Sequence, residues 1–295
     1  MSDDPRAAVP RRHGIFRASS ALLSIATALA AVSLVTTPEA AAAAGPVAHT
    51  SYNSMGVGWN PDTYWRVQAK EPDRVGYVPD PLGQRGIVQH IEVRPGDANV
   101  FGSTSKAERA SVIRVGAKQG DLGGFLNGQT VVMSWSTMID SSFTSPPRDW
   151  NIFADFHASG GKIGSPWQLS LSGDEAKLRL RLYGGGQWVD GGQPAGSEFE
   201  FFTLGTVTKN KWHDFVTEVK FDCTGHGFTR IWMDGDQLID ATDRKIGYCG
   251  DPGMYWKQGF YREVWDKPTQ LWFADTFRWK TATVALAHYG WTGHR

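Results

Sequence analysis

Short segments in which apolar and polar side chains alternate recur along most of the chain. Successive side chains of a β-strand point to opposite faces, so this period of two predicts strands. Turn-forming sequences such as Arg94-Pro95-Gly96-Asp97 and Asp234-Gly235-Asp236 separate the segments. The predicted strands are Ile87–Val93, Ala110–Val115, Thr130–Ile139, Asn151–Ala158, Gln168–Ser172, Lys177–Tyr183, Phe199–Thr203, His213–Phe221, Phe228–Met233 and Leu271–Lys280.

The number and spacing of these segments indicate the fold class. Many short strands joined by polar turns are typical of an all-β antiparallel sandwich or jelly roll. Long helical periodicity and internal repeats are absent from the sequence. Residues 50–85 are rich in Pro, Gly and Asp, and we expect them to form an ordered lead-in that lies over the sheets.

The first 44 residues have the features of an export signal. Basic residues precede an apolar run from Ala21 to Val35, and the Ala-rich stretch from Ala40 to Ala44 offers cleavage sites. The pair Arg11-Arg12 weakly resembles a twin-arginine signal. The apolar run is shorter than the roughly 20 residues of a membrane-spanning helix. We therefore expect a secreted protein, with a signal at 1–44, a single β-jelly-roll domain at 45–295 and no membrane anchor.

Composition narrows the choice of partners. The chain has 30 basic and 30 acidic residues, so no general basic field exists to capture nucleic acid. Any recognition of an anion must therefore be local. The two cysteines, Cys223 and Cys249, are expected to pair in an exported protein, with two separate buried thiols as the alternative. We expect a monomer.

The segment from Tyr255 to Arg262 has the most informative polar pattern. Read as a strand, it presents two phenols and an ammonium around a residue without a side chain: Tyr255, Lys257, Gly259 and Tyr261. A glycine inside a strand often marks a close approach by a ligand. This face suits an anionic, hydroxyl-rich ligand, and a solvated sheet edge is the alternative.

A second polar face is predicted on the strand that begins at Asn151. Strict alternation places Asn151, Phe153, Asp155 and His157 together on one side. Histidine is the most frequent general acid or base near neutral pH, and a carboxylate and an amide beside it favour a site over a structural role. Phosphate-binding loops, nucleophile elbows and metal-ligand spacings are absent from the sequence.

Several motifs, in this order along the chain, resemble those of the jelly-roll polysaccharide lyases, the group that contains heparin lyase I and glucuronan lyase. The matching segments are Arg94–Asp97 with Glu108-Arg109, Asp155–His157, Ser165–Leu169, Lys211–Phe215, Gly227–Gly235 and Tyr255–Arg262. The last resembles a Tyr-x-Lys-x-Gly-x-Tyr signature and is the most specific, whereas the hairpin at 211–235 occurs in many lectin-like sandwiches.

The resemblance implies a concanavalin A-like antiparallel jelly roll and endo-acting β-elimination on a polymer that contains uronic acid. A base removes the C5 proton, and an acid protonates the leaving oxygen at C4. Carried over, Tyr261 would be the acid and a candidate base, and His157 the base or its helper. Lys257 would place positive charge beside the phenol, while Arg109 and Tyr255 would bind substrate.

Two positions depart from the family pattern. Asp155 stands where the family has the glutamine that neutralises the substrate carboxylate, and Ser111 stands where a glutamate is common. An ionised Asp155 would repel a uronate, so it must be protonated, turned away or paired with a cation. We expect Asn151 or Gln168 to be the neutralising group if that role has moved.

Two other functions remain open at the level of sequence. One is a non-catalytic carbohydrate-binding sandwich, which the aspartate at position 155 favours. The other is a glycoside hydrolase on the same fold, with Glu198 or Glu200 as the acid. For the lyase, the near-zero charge favours a glucuronan-like polymer over highly sulfated heparin. No cofactor is expected to be required; calcium is compatible with such folds, but no dedicated acidic loop supports it.

Overall fold

The structure is a computed structural model that describes residues 48–49, 65–98, 107–114, 123–159 and 163–291. The expected export signal, 1–44, lies outside these residues. Within them, one β-strand layer, called the front sheet, carries the residues singled out above. In spatial order its strands are β2 (Trp65–Ala69), β5 (Glu108–Arg114), β15 (Met254–Arg262), β8 (Asn151–His157), β9 (Trp167–Ser172), β10 (Lys177–Gln187) and β11 (Glu198–Thr206). A short strand, β6 (Gly123–Phe125), pairs with the start of β15.

The second layer, called the back sheet, packs against the inner face of the first. In spatial order its strands are β14 (Asp236–Cys249), β13 (Asp222–Met233), β12 (Trp212–Lys220), β7 (Thr130–Ile139), β16 (Thr269–Trp279), β4 (Ile87–Val93) and β3 (Val75–Pro79), with β1 (Ala48–His49) beside β16. A helix, α1 (Ala282–His288), packs on its outer face. The Thr281 hydroxyl caps the start of this helix by accepting a hydrogen bond from the Val284 amide.

Strand β14 belongs to both sheets. Most of it pairs antiparallel with β13, but Gly247 and Cys249 pair in parallel with Gly184 and Gln187 of β10. The expected bridge between Cys223 and Cys249 is present and joins β13 to the end of β14. It therefore fastens the point where the chain passes from the back sheet to the front sheet.

Large aromatic side chains fill the space between the sheets. Trp135 of β7 stacks on Phe215 with ring centroids 5.1 Å apart and contacts Trp256 of β15 at 4.9 Å. Phe156 of β8 packs edge-on against Trp256 at 5.0 Å. All four are fully buried, and burial of each contributes on the order of 1.5–3 kcal/mol. The inward faces of β8 and β15 are thus fixed by core packing, which fixes the outward faces as well.

The observed strands follow the alternation pattern closely, and the exceptions have physical reasons. β4 and β7 have the predicted bounds. β14 was not predicted, because Asp240, Asp243, Arg244 and Lys245 interrupt its apolar positions. The expectation that 50–85 lies over the sheets is wrong for its described part, since β2 and β3 pair within them. Within the described residues, no helix has both the length and the apolar character needed to span a bilayer.

Candidate active site

Strand β15 separates its side chains as the sequence predicts. Trp256 and Phe260 are buried in the core between the sheets, whereas Tyr255 and Tyr261 are partly exposed on the outer face. Lys257 also belongs to this outer row and is 6% exposed. The strand therefore offers two phenols and one ammonium to a ligand on the outer face of the front sheet.

Gly259 serves a different purpose from the one expected. It has a φ of +146°, a conformation that side chains rarely adopt. A Cβ at this position would collide with the Cα atom of Ser111 on β5. The missing side chain therefore lets the neighbouring strand approach, and the prediction that Gly259 makes room for a ligand is wrong.

Strand β8 contains a bulge that changes which residues share a face. The register with β9 shifts between Ile152 and Ala154, so Phe153 and Ala154 both lie in the core. Asp155 and His157 stay on the outer face, but Asn151 does not. Its amide is fully buried and donates to the Leu171 carbonyl and the Ser145 hydroxyl. The prediction that Asn151 and Phe153 share the face of Asp155 and His157 is therefore wrong.

His157 lies directly opposite Tyr255 across β8 and β15. The two rings are stacked with centroids 5.3 Å apart and planes 15° apart. The Nδ1 atom of His157 is 2.7 Å from the Ala158 carbonyl oxygen, which can only accept, so Nδ1 carries the proton. The neutral ring therefore has its lone pair on Nε2. Burial lowers the pKa of His157 below its usual 6.5, and this keeps the basic form populated near neutral pH.

Lys257 and Asp155 are cross-strand neighbours in the next row. Burial lowers the pKa of Lys257 to about 8; the negative charge of Asp155 opposes this effect, and Arg109 adds to it. Asp155 accepts a hydrogen bond from the Ser165 hydroxyl at 2.6 Å and is 4% exposed. Asp155 is thus not turned away from the outer face, and its charge is balanced partly by that of Lys257.

Tyr261 and Arg109 form a separate cluster at the other end of β15. The guanidinium carbon of Arg109 lies 4.3 Å from the centroid of the Tyr261 ring, and Trp150 packs edge-on at 5.0 Å. The Lys257 ammonium lies 5.5 Å from the same centroid. Tyr261 faces Ile152 of β8 and not His157. The structure therefore does not bring together the two residues to which proton transfer was assigned; Tyr255 occupies the place beside His157.

The outer face continues beyond β8 in register. Lys257, Asp155, Gln168, Arg181 and Phe201 are successive cross-strand neighbours on β15, β8, β9, β10 and β11. We call these five residues the cross-strand row. The sequence indicated Gln168 but missed Arg181 and Phe201. The alternation Leu-Arg-Leu-Arg-Leu-Tyr at 178–183 could have placed Arg181 on an outer face. Its position in the same row as Lys257 depends on the spatial order of the strands, which this alternation does not indicate.

The carboxylates proposed for hydrolysis are engaged elsewhere. Glu198 forms an ion pair with Lys245 at 2.6 Å, and Glu200 pairs with Arg244 at 3.1 Å. They alternate with the outward residues of β11, so neither belongs to the cross-strand row. A cavity of about 420 Å³ lies on the back sheet next to helix α1, with Glu218, Arg230 and Trp232 in its lining. It has no phenol or imidazole in its lining, so the front sheet is the better candidate.

A family model described as "Polysaccharide lyase" matches residues 60–278, which is most of the chain. The chain belongs to the polysaccharide lyase family. The protein is accordingly an enzyme whose substrate is a polysaccharide. The matched range includes every strand of the front sheet. Within the described residues of this lyase, no group of three or more His, Cys, Asp or Glu side chains is placed to hold a metal ion.

Solved structures support the fold of the lyase. It is similar to an endo-β-1,4-glucuronan lyase from the fungus Trichoderma reesei, with a TM-score of 0.57 and 16% identity, over 70% of this chain and 87% of that one. It is also similar to the catalytic domain of a glycoside hydrolase family 131 protein from Coprinopsis cinerea, with a TM-score of 0.50 and 11% identity, over 80% and 95% of the two chains. No curated protein sequence matches the lyase significantly. At such identities the likeness establishes the fold alone, and the all-β jelly-roll prediction is confirmed.

Proposed function

We propose that this lyase cleaves a uronic-acid-containing polymer by β-elimination and that His157 and Tyr255 form the proton-transfer pair. The observation that carries the proposal is the stacking of these two rings at 5.3 Å, directly beside Lys257. An imidazole with a free lone pair and a phenol that can donate supply the base and the acid that elimination needs. Tyr261, which the sequence suggested as the acid, lies apart from His157 and suits substrate binding.

The bond changes balance without a co-reactant. Nε2 of His157 takes the C5 proton, and the electron pair of that C–H bond becomes the C4=C5 double bond. The bond from C4 to the glycosidic oxygen breaks, and the departing oxygen receives a proton from the Tyr255 phenol. Return of the proton from the imidazole through solvent to the phenolate restores both groups. The products are a new chain end and an unsaturated uronate.

Local charge supports a uronate as the substrate. Arg109, Lys257 and Arg181 lie on the outer face, and no carboxylate among the described residues is within ion-pair distance of any of them. The chain as a whole has no net charge, so this concentration of basic groups is specific to the face. A carboxylate next to Lys257 would also disperse the charge that develops at C5. Asp155 opposes a uronate in part, and the positive charge of its cross-strand neighbour Lys257 reduces that repulsion.

A weakly charged polymer such as glucuronan fits better than a highly sulfated one, because the cross-strand row contains two basic groups and one carboxylate. The fold shared with a glucuronan lyase is consistent with this choice. The cross-strand row continues in register over five strands, which suits internal, endo-type cleavage. We also propose a secreted monomer without a required cofactor, in keeping with the disulfide bridge.

The test is to incubate the purified protein with glucuronan, alginate, heparin and hyaluronan and to follow the ultraviolet absorbance of the unsaturated product. We expect absorbance with a weakly charged polyuronate. Reducing ends released without this absorbance would contradict elimination and favour hydrolysis. Binding without either signal would favour a non-catalytic role.

A paired comparison tests the assignment of the acid. We expect Tyr255→Phe to lower kcat by about two to four orders of magnitude, the usual contribution of a positioned proton donor. Tyr261→Phe keeps the ring that Arg109 contacts and should lower kcat by a much smaller factor. The opposite ranking of the two variants would return the acid role to Tyr261.

A further inference from the structure

The outer face carries a second group of side chains at the far end of the cross-strand row. Arg181 and Tyr183 project from β10, and Phe201 and Phe199 lie opposite them on β11. Four strand spacings of about 4.8 Å separate β11 from β15, so this group lies roughly 19 Å from Lys257 along the row. It is therefore too distant to contact the sugar whose C5 proton is removed.

Arg181 has an unsatisfied charge. Its neighbour on the same strand, Arg179, has Asp149 at 3.4 Å, but among the described residues no carboxylate pairs with Arg181. Its Nε atom is buried without a hydrogen-bond partner. The guanidinium carbon instead lies 4.8 Å from the ring centroid of Tyr183 and 5.5 Å from that of Phe201. A guanidinium without a counter-charge and next to two aromatic rings is suited to bind a planar anion such as a carboxylate.

The two phenylalanines expose an unusual amount of apolar surface. Phe199 is 59% exposed and Phe201 is 58% exposed, although both lie on a regular strand. Their rings contact each other at 5.5 Å, and Phe199 also contacts Tyr183 at 5.6 Å. Leaving two such rings in water loses the stabilisation that burial would provide, and exposed apolar patches of this kind mark binding surfaces. The inward residues of the same strand, Phe202 and Leu204, pack against the core normally.

We propose that Arg181, Tyr183, Phe199 and Phe201 form a distal subsite that binds a further uronate residue of the same polymer, an inference that rests on the proposed function. The guanidinium binds the sugar carboxylate, and the aromatic rings pack against the apolar face of the sugar ring. The cross-strand row connects this subsite to Lys257 in register through Gln168 and Asp155, and the Gln168 amide can donate to a hydroxyl or a carboxylate. The polymer therefore lies across the strands and not along them.

The charge pattern distinguishes a uronate from other occupants. A neutral glycan would use the aromatic rings but would leave the guanidinium unpaired. A second protein chain would be expected to present a carboxylate and apolar side chains, but it would not need the row to continue in register to Lys257. The continuity with Lys257 therefore favours the polymer.

The test measures kcat/KM on oligouronates of increasing length for wild type, Phe201→Ala and Arg181→Gln. The matched controls are Phe228→Ala and Arg230→Gln on the back sheet, where the guanidinium carbon of Arg230 lies 4.6 Å from the Phe228 ring centroid. We expect wild-type kcat/KM to rise with length until the substrate reaches β11. The two subsite variants should lose about tenfold on the long polymer and far less on the shortest substrate, whereas the controls should keep the wild-type profile.

Other outcomes separate the two proposals. An equal loss on short and long substrates, or no loss on the polymer, would overturn the distal subsite while elimination stands. If wild type forms no unsaturated product, its retention on a glucuronan affinity gel still tests the subsite. Phe201→Ala and Arg181→Gln should then weaken the retention of the protein on this gel. A wild-type dimer that Phe201→Ala dissociates would instead identify the patch as a contact between copies of the chain and overturn the subsite.

Discussion

Glu108 and Arg262 form an ion pair from which solvent is fully excluded, with the Arg262 Nη2 atom 2.8 Å from the Glu108 carboxylate. The pair joins β5 to β15 on their inner side, and Arg109 and Tyr261 form the next cross-strand pair on the outer side. Glu108 also accepts hydrogen bonds from the amides of Gly96 and Trp265. The inner pair therefore holds the register that places the guanidinium of Arg109 over the phenol ring.

Breaking this pair should destabilise the whole domain. Glu108→Gln leaves the Arg262 guanidinium buried without its counter-charge, and we expect the free energy of unfolding to fall by about 3–5 kcal/mol. Urea denaturation measures the change. The control is Glu92→Gln, which removes one partner of the partly exposed Arg94 and should cost about 0–1 kcal/mol. Equal effects of the two substitutions would contradict a special role for the buried pair.

The pH profile of kcat/KM should report Lys257. Its pKa of about 8, lowered chiefly by burial, means that the ammonium is charged below this pH and neutral above it. Binding of an anionic substrate needs the charge, so kcat/KM should fall as pH rises through about 8. Lys257→Arg keeps the charge, and it should move this decline to higher pH. A decline that stays in place in Lys257→Arg would assign it to another group.

Asp155 should influence the pH profile of kcat/KM on its acid side, through His157, and on its alkaline side, through Lys257. Its negative charge raises the pKa of Lys257 and that of His157, so Asp155→Asn should lower both. The decline on the alkaline side should then begin at a lower pH, and the rise on the acid side should also shift down. At pH 6.5, where Lys257 stays charged, we expect KM for a polyuronate to fall because a repulsive charge is gone. A higher KM there would show that the carboxylate itself binds substrate.

Gly259 should be intolerant of a side chain for reasons of packing. In Gly259→Ala the new methyl group would meet the backbone of Ser111, and a φ of +146° is unfavourable for alanine. We expect a loss of about 1–3 kcal/mol in unfolding free energy. Gly76 of β3 has open space around it, so Gly76→Ala is the matched control and should be neutral or slightly stabilising. A stable Gly259→Ala protein that only loses substrate binding would restore the role first expected from the sequence.

Removal of the disulfide should lower stability because the unfolded chain then gains conformational entropy. The bridge joins residues 26 positions apart, and such a loop contributes on the order of 3 kcal/mol. We expect Cys223→Ser/Cys249→Ser to show this loss in thermal unfolding. A reducing agent should destabilise wild type to a similar extent and leave the double variant unchanged; a further loss in the double variant would point to another effect of the reductant.

The sequence was sufficient for those parts of the fold that depend on local alternation. β4 and β7 have regular patterns, and their bounds were predicted correctly. β14 was missed because its interior positions are charged, and its place is fixed by pairing with β13 and β10. The pairing of His157 with Tyr255 could not be deduced either, because it depends on the register between strands nearly 100 positions apart.

Because of the bulge in β8, simple alternation along the sequence does not predict which face of the sheet each residue of this strand occupies. Asn151 and Asp155 are an even number of positions apart and nevertheless face opposite sides of the sheet, because Phe153 is the extra residue that the pairing absorbs. Alternation counted towards the N-terminus from His157 assigns the correct face to each residue as far as Ala154. Alternation counted towards the C-terminus from Asn151 is correct only as far as Phe153.

The same bulge determines where this strand can change in length. Deletion of Phe153 would make the pairing of β8 with β9 regular, but it would widen the existing mismatch with β15, where Gln258 to Tyr261 spans three steps against two from Ala154 to Ile152. A residue lost between Asp155 and His157 would instead turn one of them into the core. In sequence alignments of relatives, we therefore expect a one-residue gap at position 153 only together with a shorter β15 between Gln258 and Tyr261, whereas a gap between Asp155 and His157 would be incompatible with the same chemistry.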